Sequence, residues 1–143
     1  MYETIEIFNI SGKLKMTWNN DVKANIDTWS SYQVTLEEFS NAILKKGLPF
    51  AVENNCIAWI VDSSKAIGTF TRECQSYIST DIFPAFAKAG IKYFITINSP
   101  NIMTNLTVKE YQAKAQPNGL ILLEVKSVFE AIEWLNLKIS NAV

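Results

Sequence analysis

Residues 56–61, Cys-Ile-Ala-Trp-Ile-Val, run apolar without a break and stop at Asp62, and this stretch decides the fold. Six such residues suit a strand covered on both faces, as in a parallel sheet with helices above and below. Two further runs repeat the signal downstream: residues 91–97, Ile-Lys-Tyr-Phe-Ile-Thr-Ile, ended by Asn98, and residues 120–123, Leu-Ile-Leu-Leu. Helical periodicity separates them. From Thr71 to Ala89 the apolar stripe is Cys74, Tyr77, Ile78, Ile82 and Phe86, with Gly90 at its end and Pro84 inside it, which predicts a kink or a new turn. Capping boxes at Thr107-Val108-Lys109-Glu110 and Ser127-Val128-Phe129-Glu130 predict the starts of two more helices, the first ending before Asn118-Gly119.

Upstream, Thr35-Leu36-Glu37-Glu38 is another capping box, and Lys45-Lys46-Gly47 reads as the close of its helix. The first twenty residues alternate in polarity around Ser11-Gly12, predicting a β-hairpin whose second arm is Leu14, Met16 and Trp18. Asn19 to Asn25 reads as a polar loop. The predicted order is β-β-α-β-α-β-α-β-α: one α/β sandwich domain over residues 1–143, with about five strands, an opening hairpin followed by a mostly parallel sheet, and about four helices.

Composition narrows the chemistry. The 143 residues carry 13 Lys+Arg against 14 Asp+Glu, a net charge of −1, which argues against a nucleic-acid surface. There is no histidine, which removes His-based triads and His metal ligands. Two cysteines cannot make a four-Cys zinc site, and Cys56 and Cys74 read as small core residues. No Gly-x-Gly-x-x-Gly, phosphate-binding P-loop or EF-hand loop occurs, so no cofactor is expected. The opening residues Met1-Tyr2-Glu3-Thr4-Ile5-Glu6 lack a basic or apolar leader pattern and no run is long enough for a membrane span; the expectation is a cytoplasmic protein without stable membrane insertion.

The order of these pieces resembles the SpoIIAA-like branch of the STAS and Sec14-like (CRAL-TRIO-like) small α/β proteins. The features that carry the resemblance are Leu14-Lys15-Met16-Thr17-Trp18, Ile57-Ala58-Trp59-Ile60-Val61-Asp62, the stretch from Thr71 through Phe83-Pro84 to Lys92, and Val125 to Leu135. Asp62-Ser63-Ser64 is similar to the Asp-Ser-Ser-Gly stretch of anti-sigma-factor antagonists, in which the Ser after the Asp is phosphorylated; the resemblance implies that role for Ser63. Lys65 stands where that pattern has Gly, and the next helix begins only near Thr71.

Ligands of open α/β sheets bind beyond the carboxyl ends of the strands. Those ends present Asp62, Ser63, Ser64 and Lys65 after one strand and Asn98, Ser99, Pro100 and Asn101 after the next, with residues 98–106 reading as a structureless polar rim. Trp29 and Tyr32 precede a helix in a polar setting and are expected to be exposed, capping a pocket or joining an interface. The expected function is a non-enzymatic binding or regulatory module, with no catalytic residue, acting through a protein partner or a small apolar ligand at the strand ends. The alternatives are a small lipid carrier and a minor enzyme using Asp62, Ser63 and Lys65. A homodimer through an apolar edge or helix face stays open.

Overall fold

The opening hairpin forms as its alternation dictates, Ile5–Ile10 (β1) pairing antiparallel with Leu14–Asn19 (β2) around Gly12 in the left-handed region (φ 73°). The structure, a computed structural model, describes residues 4–141, so the expectations on Met1, Tyr2 and Glu3 lie outside the described residues. A third strand, Ala24–Trp29 (β3), pairs antiparallel with β2 and overturns the reading of Asn19 to Asn25 as a loop. Only the turn between β2 and β3 is loop, held by Asn19 Oδ1 accepting from the backbone N–H of Asp21 (3.0 Å) and Val22 (3.2 Å), with Lys23 at φ 54°. Three parallel strands follow at the predicted places: Ala58–Asp62 (β4), Tyr93–Ile97 (β5) and Ile121–Val125 (β6). The sheet has six strands rather than five, in the order β1-β2-β3-β4-β5-β6. The chain is a single α/β domain with a mixed sheet.

Four helical rods cover that sheet. The first starts at Thr35, whose Oγ1 accepts from the Glu38 N–H, as Leu36–Ser40 (α1); it widens into a π-helical stretch, Asn41–Gly47, and resumes as Leu48–Glu53 (α2). Gly47 is therefore no helix stop, correcting the reading from Lys45-Lys46-Gly47. It is glycine because the rod presses on the sheet there: a Cβ would stand 2.8 Å from Met16 Sδ and 3.0 Å from Trp59 Cη2. The second rod is Arg72–Tyr77 (α3), a π-helical stretch Ile78–Ile82, and Phe83–Lys88 (α4), with Gly90 (φ 90°) past its end. In both rods the widened turn immediately precedes a Leu-Pro or Phe-Pro step. A proline ring clashes with the carbonyl four residues back and has no N–H to give it. The π geometry answers this: the Leu48 and Phe83 N–H groups reach five residues back, to Ile43 O and Ile78 O.

The third rod, Ile102–Gln112 (α5), begins a turn and a half before the capping box at Thr107, which is mid-helix and buried. Its cap is Asn101, whose Oδ1 accepts from the Thr104 N–H at 3.0 Å. The structureless rim expected over 98–106 is thus mostly helix. The fourth rod, Val128–Asn141 (α6), opens at Ser127 as predicted, Oγ accepting from the Glu130 N–H at 3.1 Å.

Because the strands from β3 onward advance steadily in one direction, crossovers of the usual hand put their helices on one face. That face packs α1 to α5 on Met16, Trp18, Trp29, Trp59 and Phe94. The opposite face packs α6 on Ile26, Ile60, Ile95 and Ile97.

Candidate functional site

Strand β3 puts Ala24 and Ile26 toward α6, and Asn25, Asp27 and Trp29 toward the five-helix layer. An aspartate thus stands in the middle of an aromatic core, 1% exposed. Its partners are two neutral donors: Trp59 Nε1–H to Oδ2 at 2.8 Å and Asn25 Nδ2–H to Oδ1 at 2.9 Å. Burial pushes the Asp27 carboxyl up from 3.8 to about 7, and the two hydrogen bonds only partly oppose it. Asn25 Oδ1, beside it, is buried without any partner.

Above Asp27 lies a chamber of about 40 Å³ between the sheet and the helices. Aromatic rings dominate its walls: Trp29, Tyr32, Phe39, Trp59, Phe70, Phe83, Phe86, Phe94 and Tyr111, with aliphatic Ile43, Val61, Ile78 and Ile82 between them. The rings brace one another, Trp59 stacking on Phe86 (4.3 Å between centroids) and Tyr32 packing on Phe70 (4.3 Å). The other polar groups of the wall residues are the indole N–H of Trp29 and Trp59 and the hydroxyls of Tyr32 and Tyr111. Tyr32 OH bonds both Ser63 Oγ and Tyr111 OH (2.9 Å), and Ser63 Oγ also meets Tyr111 OH at 3.3 Å. Burial, then the neighbouring phenol, hold Tyr32 well above its ordinary value, and burial pushes Tyr111 up to about 12, so both stay neutral.

The residues expected at the strand ends fall into three groups. Trp29 and Tyr32 are not exposed: both are buried, and they form chamber wall instead of rim. They are carried inward because β3 continues to Trp29, and the segment after it is pinned by the Tyr32 N–H to Ile67 O (2.9 Å). Ser63 is also buried, its hydroxyl turned onto the two tyrosines rather than to solvent. Asp62, Ser64 and Lys65 form the turn that aims it: Asp62 Oδ1 accepts from the Ser64 N–H (3.0 Å), while Lys65 is exposed. Asp62, Ser63 and Lys65 therefore do not converge.

Asn98, Ser99 and Asn101 tie the next loop together. Asn98 bridges Glu124 Oε2 (2.8 Å) and Gln112 Nε2 (3.1 Å), Ser99 Oγ donates to Ala66 O (3.4 Å), and Asn101 caps α5. Asn98 also lines an open surface groove with Glu124, Lys126 and Glu130, whose acids are already engaged by Lys109 and the Lys126 N–H. Cys56 and Cys74 are buried and unpaired as expected; burial pushes the Cys56 thiol up to about 11. Among the described residues no cluster of His, Cys, Asp or Glu is disposed to hold a metal ion, and no helix is long and apolar enough to cross a membrane.

Sequence reasoning missed Asp27 and Asn25. Asn and Asp are depleted in strands, so their presence masked the period-two pattern of Val22, Ala24 and Ile26 that would have revealed β3. Comparison with protein-family models, with curated proteins and with solved structures yields no match. The likeness to the SpoIIAA-like family therefore rests on the sequence features alone.

Proposed function

We propose that this protein is a non-enzymatic binding module whose chamber above Asp27 receives a small ligand, or the compact terminal group of a larger one. The observation that carries this reading is the pairing of a cavity with a buried, titratable carboxyl in an otherwise apolar wall. Ligand sites are concave, largely apolar and furnished with a few polar groups that fix orientation. Both features cost stability. An unfilled volume of about 40 Å³ costs on the order of 1 kcal/mol at ~24 cal/mol per Å³, and a carboxylate without a cation costs more. An aliphatic residue at position 27 would remove the second cost, so a carboxyl at this place favours a role beyond packing. The volume sets the size of the guest, since pockets that enclose a whole drug-sized molecule run to about 300–1,000 Å³.

The test is NMR titration of the full chain with neutral and charged fragments of about two to five heavy atoms, following the indole N–H signals of Trp59 and Trp29. Saturable shifts, lost when Val61→Leu fills the chamber, are expected. Absence of any saturable shift across the panel at millimolar concentration contradicts the reading.

A second reading, docking of a protein partner, is favoured by one surface. Ile102, Met103 and Leu106 stand exposed on one side of α5, and exposed Ile67 lies on the loop whose Gly68 carbonyl accepts from Thr104 Oγ1 (2.8 Å). Cross-linking of wild type and Met103→Lys in cell extract tests it: a partner band that persists unchanged in the variant excludes this surface.

A further inference from the structure

Asp27 and the amide oxygen beside it are short of hydrogen-bond donors. An ionised carboxylate has room for about four, and Asp27 receives two. Asn25 Oδ1 beside it receives none and is fully buried. No lysine or arginine lines the chamber, and the ion pairs among the described residues lie elsewhere, Lys13 with Glu38, Arg72 and Lys114 with Glu110, and Lys109 with Glu124. What surrounds the carboxyl instead is ring upon ring, whose electron-rich faces attract cations.

We propose that the chamber binds a compact organic cation, a primary or methylated ammonium group, with Asp27 as its counter-ion and the aromatic walls as its cage. The inference rests on the chamber being the ligand site, and it names the ligand's chemical class. Size agrees: about 40 Å³ accommodates a group slightly larger than a water molecule, such as an ammonium with one or two carbons. Charge agrees as well. A buried carboxylate without a cationic partner is costly, and a ligand that supplies the partner recovers that cost on binding. An ammonium also brings donors, up to three N–H groups, against the open lone pairs of Asp27. A neutral guest leaves Asp27 either protonated or unpaired.

Protons compete with the cation for the same oxygens. The other titratable groups facing Asp27 are the phenols of Tyr32 and Tyr111 and, at the edge of its field, the Cys56 thiol; all three are held neutral by burial. The wall residues of α1, α4, β4, β5 and the two π-helical stretches carry no ionisable side chain. Asp27 alone therefore sets the pH profile. With its carboxyl near 7, binding weakens about tenfold per pH unit well below that value and levels off above it.

Ethylammonium and its neutral isostere ethanol, titrated into the full chain at pH 6 and pH 8 with the Trp59 indole N–H as reporter, test the proposal. Ethylammonium is expected to bind saturably, with a dissociation constant several-fold to tenfold lower at pH 8, and at least tenfold more tightly than ethanol at that pH. Asp27→Asn is expected to erase the preference; should that variant fail to fold, the pH comparison in the wild type carries the test. Equal binding of the two probes, or cation binding indifferent to pH, overturns the cation and leaves a site for neutral guests. No saturable shift with either probe, or with any fragment of the wider panel, overturns the site itself.

Discussion

The two faces of one sheet are built on opposite terms. Toward α6 the strands present Ile26, Ala58, Ile60, Ile95 and Ile97, which meet Ala131, Ile132 and Leu135, and the buried polar side chains on this face are confined to β2, Thr17 beside Ile26 and Asn19 beside Ala24. Toward the five-helix layer the same strands present Asn25, Asp27, Trp29, Trp59 and Phe94 around a cavity. Alternation along each strand makes this division, since residues one apart point to opposite faces. The α6 face is held chiefly by burial of apolar surface, and no charged side chain is buried in it. The other face carries a titratable carboxyl and empty volume besides the unmet amide oxygen of Asn25, and each of these costs stability.

The sharpest way to break this comparison is to damage the face held responsible for stability alone. Leu135→Ala, at a fully buried position of α6, is expected to cost about 2–5 kcal/mol in urea unfolding and to leave the Trp59 indole signal in place under native conditions. Asp27→Asn probes the opposite term. An acid whose folded-state value is raised holds its proton more tightly folded than unfolded, so this group's contribution to stability is present below about pH 4 and is lost as pH rises to about 7. Unfolding curves of wild type should therefore fall relative to Asp27→Asn across that window. The variant should be the more stable at pH 8 by on the order of 2–4 kcal/mol, each tenfold change in proton affinity being worth about 1.4 kcal/mol. Parallel pH profiles would mean that Asp27 is not buried in its charged form.

Gly47→Ala tests the contact between the faceted helix layer and the strands. Its Cβ has Met16 Sδ at 2.8 Å and Trp59 Cη2 at 3.0 Å to contend with, and thermal unfolding should show a loss of about 1–3 kcal/mol. Ser63→Ala removes one member of the hydroxyl cluster but leaves the Tyr32–Tyr111 bond at 2.9 Å. The expected loss in urea unfolding is about 1 kcal/mol; a much larger loss would mean that the cluster holds the chamber open. Met103→Lys on the exposed side of α5 should change stability by less than about 0.5 kcal/mol, measured in the same way.

What the sequence revealed follows the same division. The strands β4 and β5, the second arm of the hairpin and the start of α6 are legible because their residues follow burial and capping rules, whereas β6, read as covered on both faces, is an edge strand with Ile121 exposed. Thr35 and Ser127 cap the helices that their capping boxes predict, and the helix read as running from Thr71 begins there, with Thr71 as its cap. The failures cluster where a residue serves two demands. Gly47 reads as a stop because close approach to Trp59, which no local pattern records, is what requires glycine. Thr107 heads a capping-box pattern, yet Asn101 caps first and the helix is already running. Asn25 and Asp27 hide β3 because a polar alternate face reads as solvent, whereas here that face is covered by α1 to α5. Of the candidate site, the aromatic walls were visible only as composition, and Ser63 was singled out for an exposed role that its buried position in this fold does not offer.

The central claim is that Asp27 sits ionisable in an apolar chamber, and its own titration tests it most directly. Carbon-13 NMR of the side-chain carboxyl, assigned by difference from Asp27→Asn, should show a midpoint near 7. A midpoint in the ordinary aspartate range, about 3.5–4, would mean that the carboxylate is solvated or paired, and would contradict the account of this face.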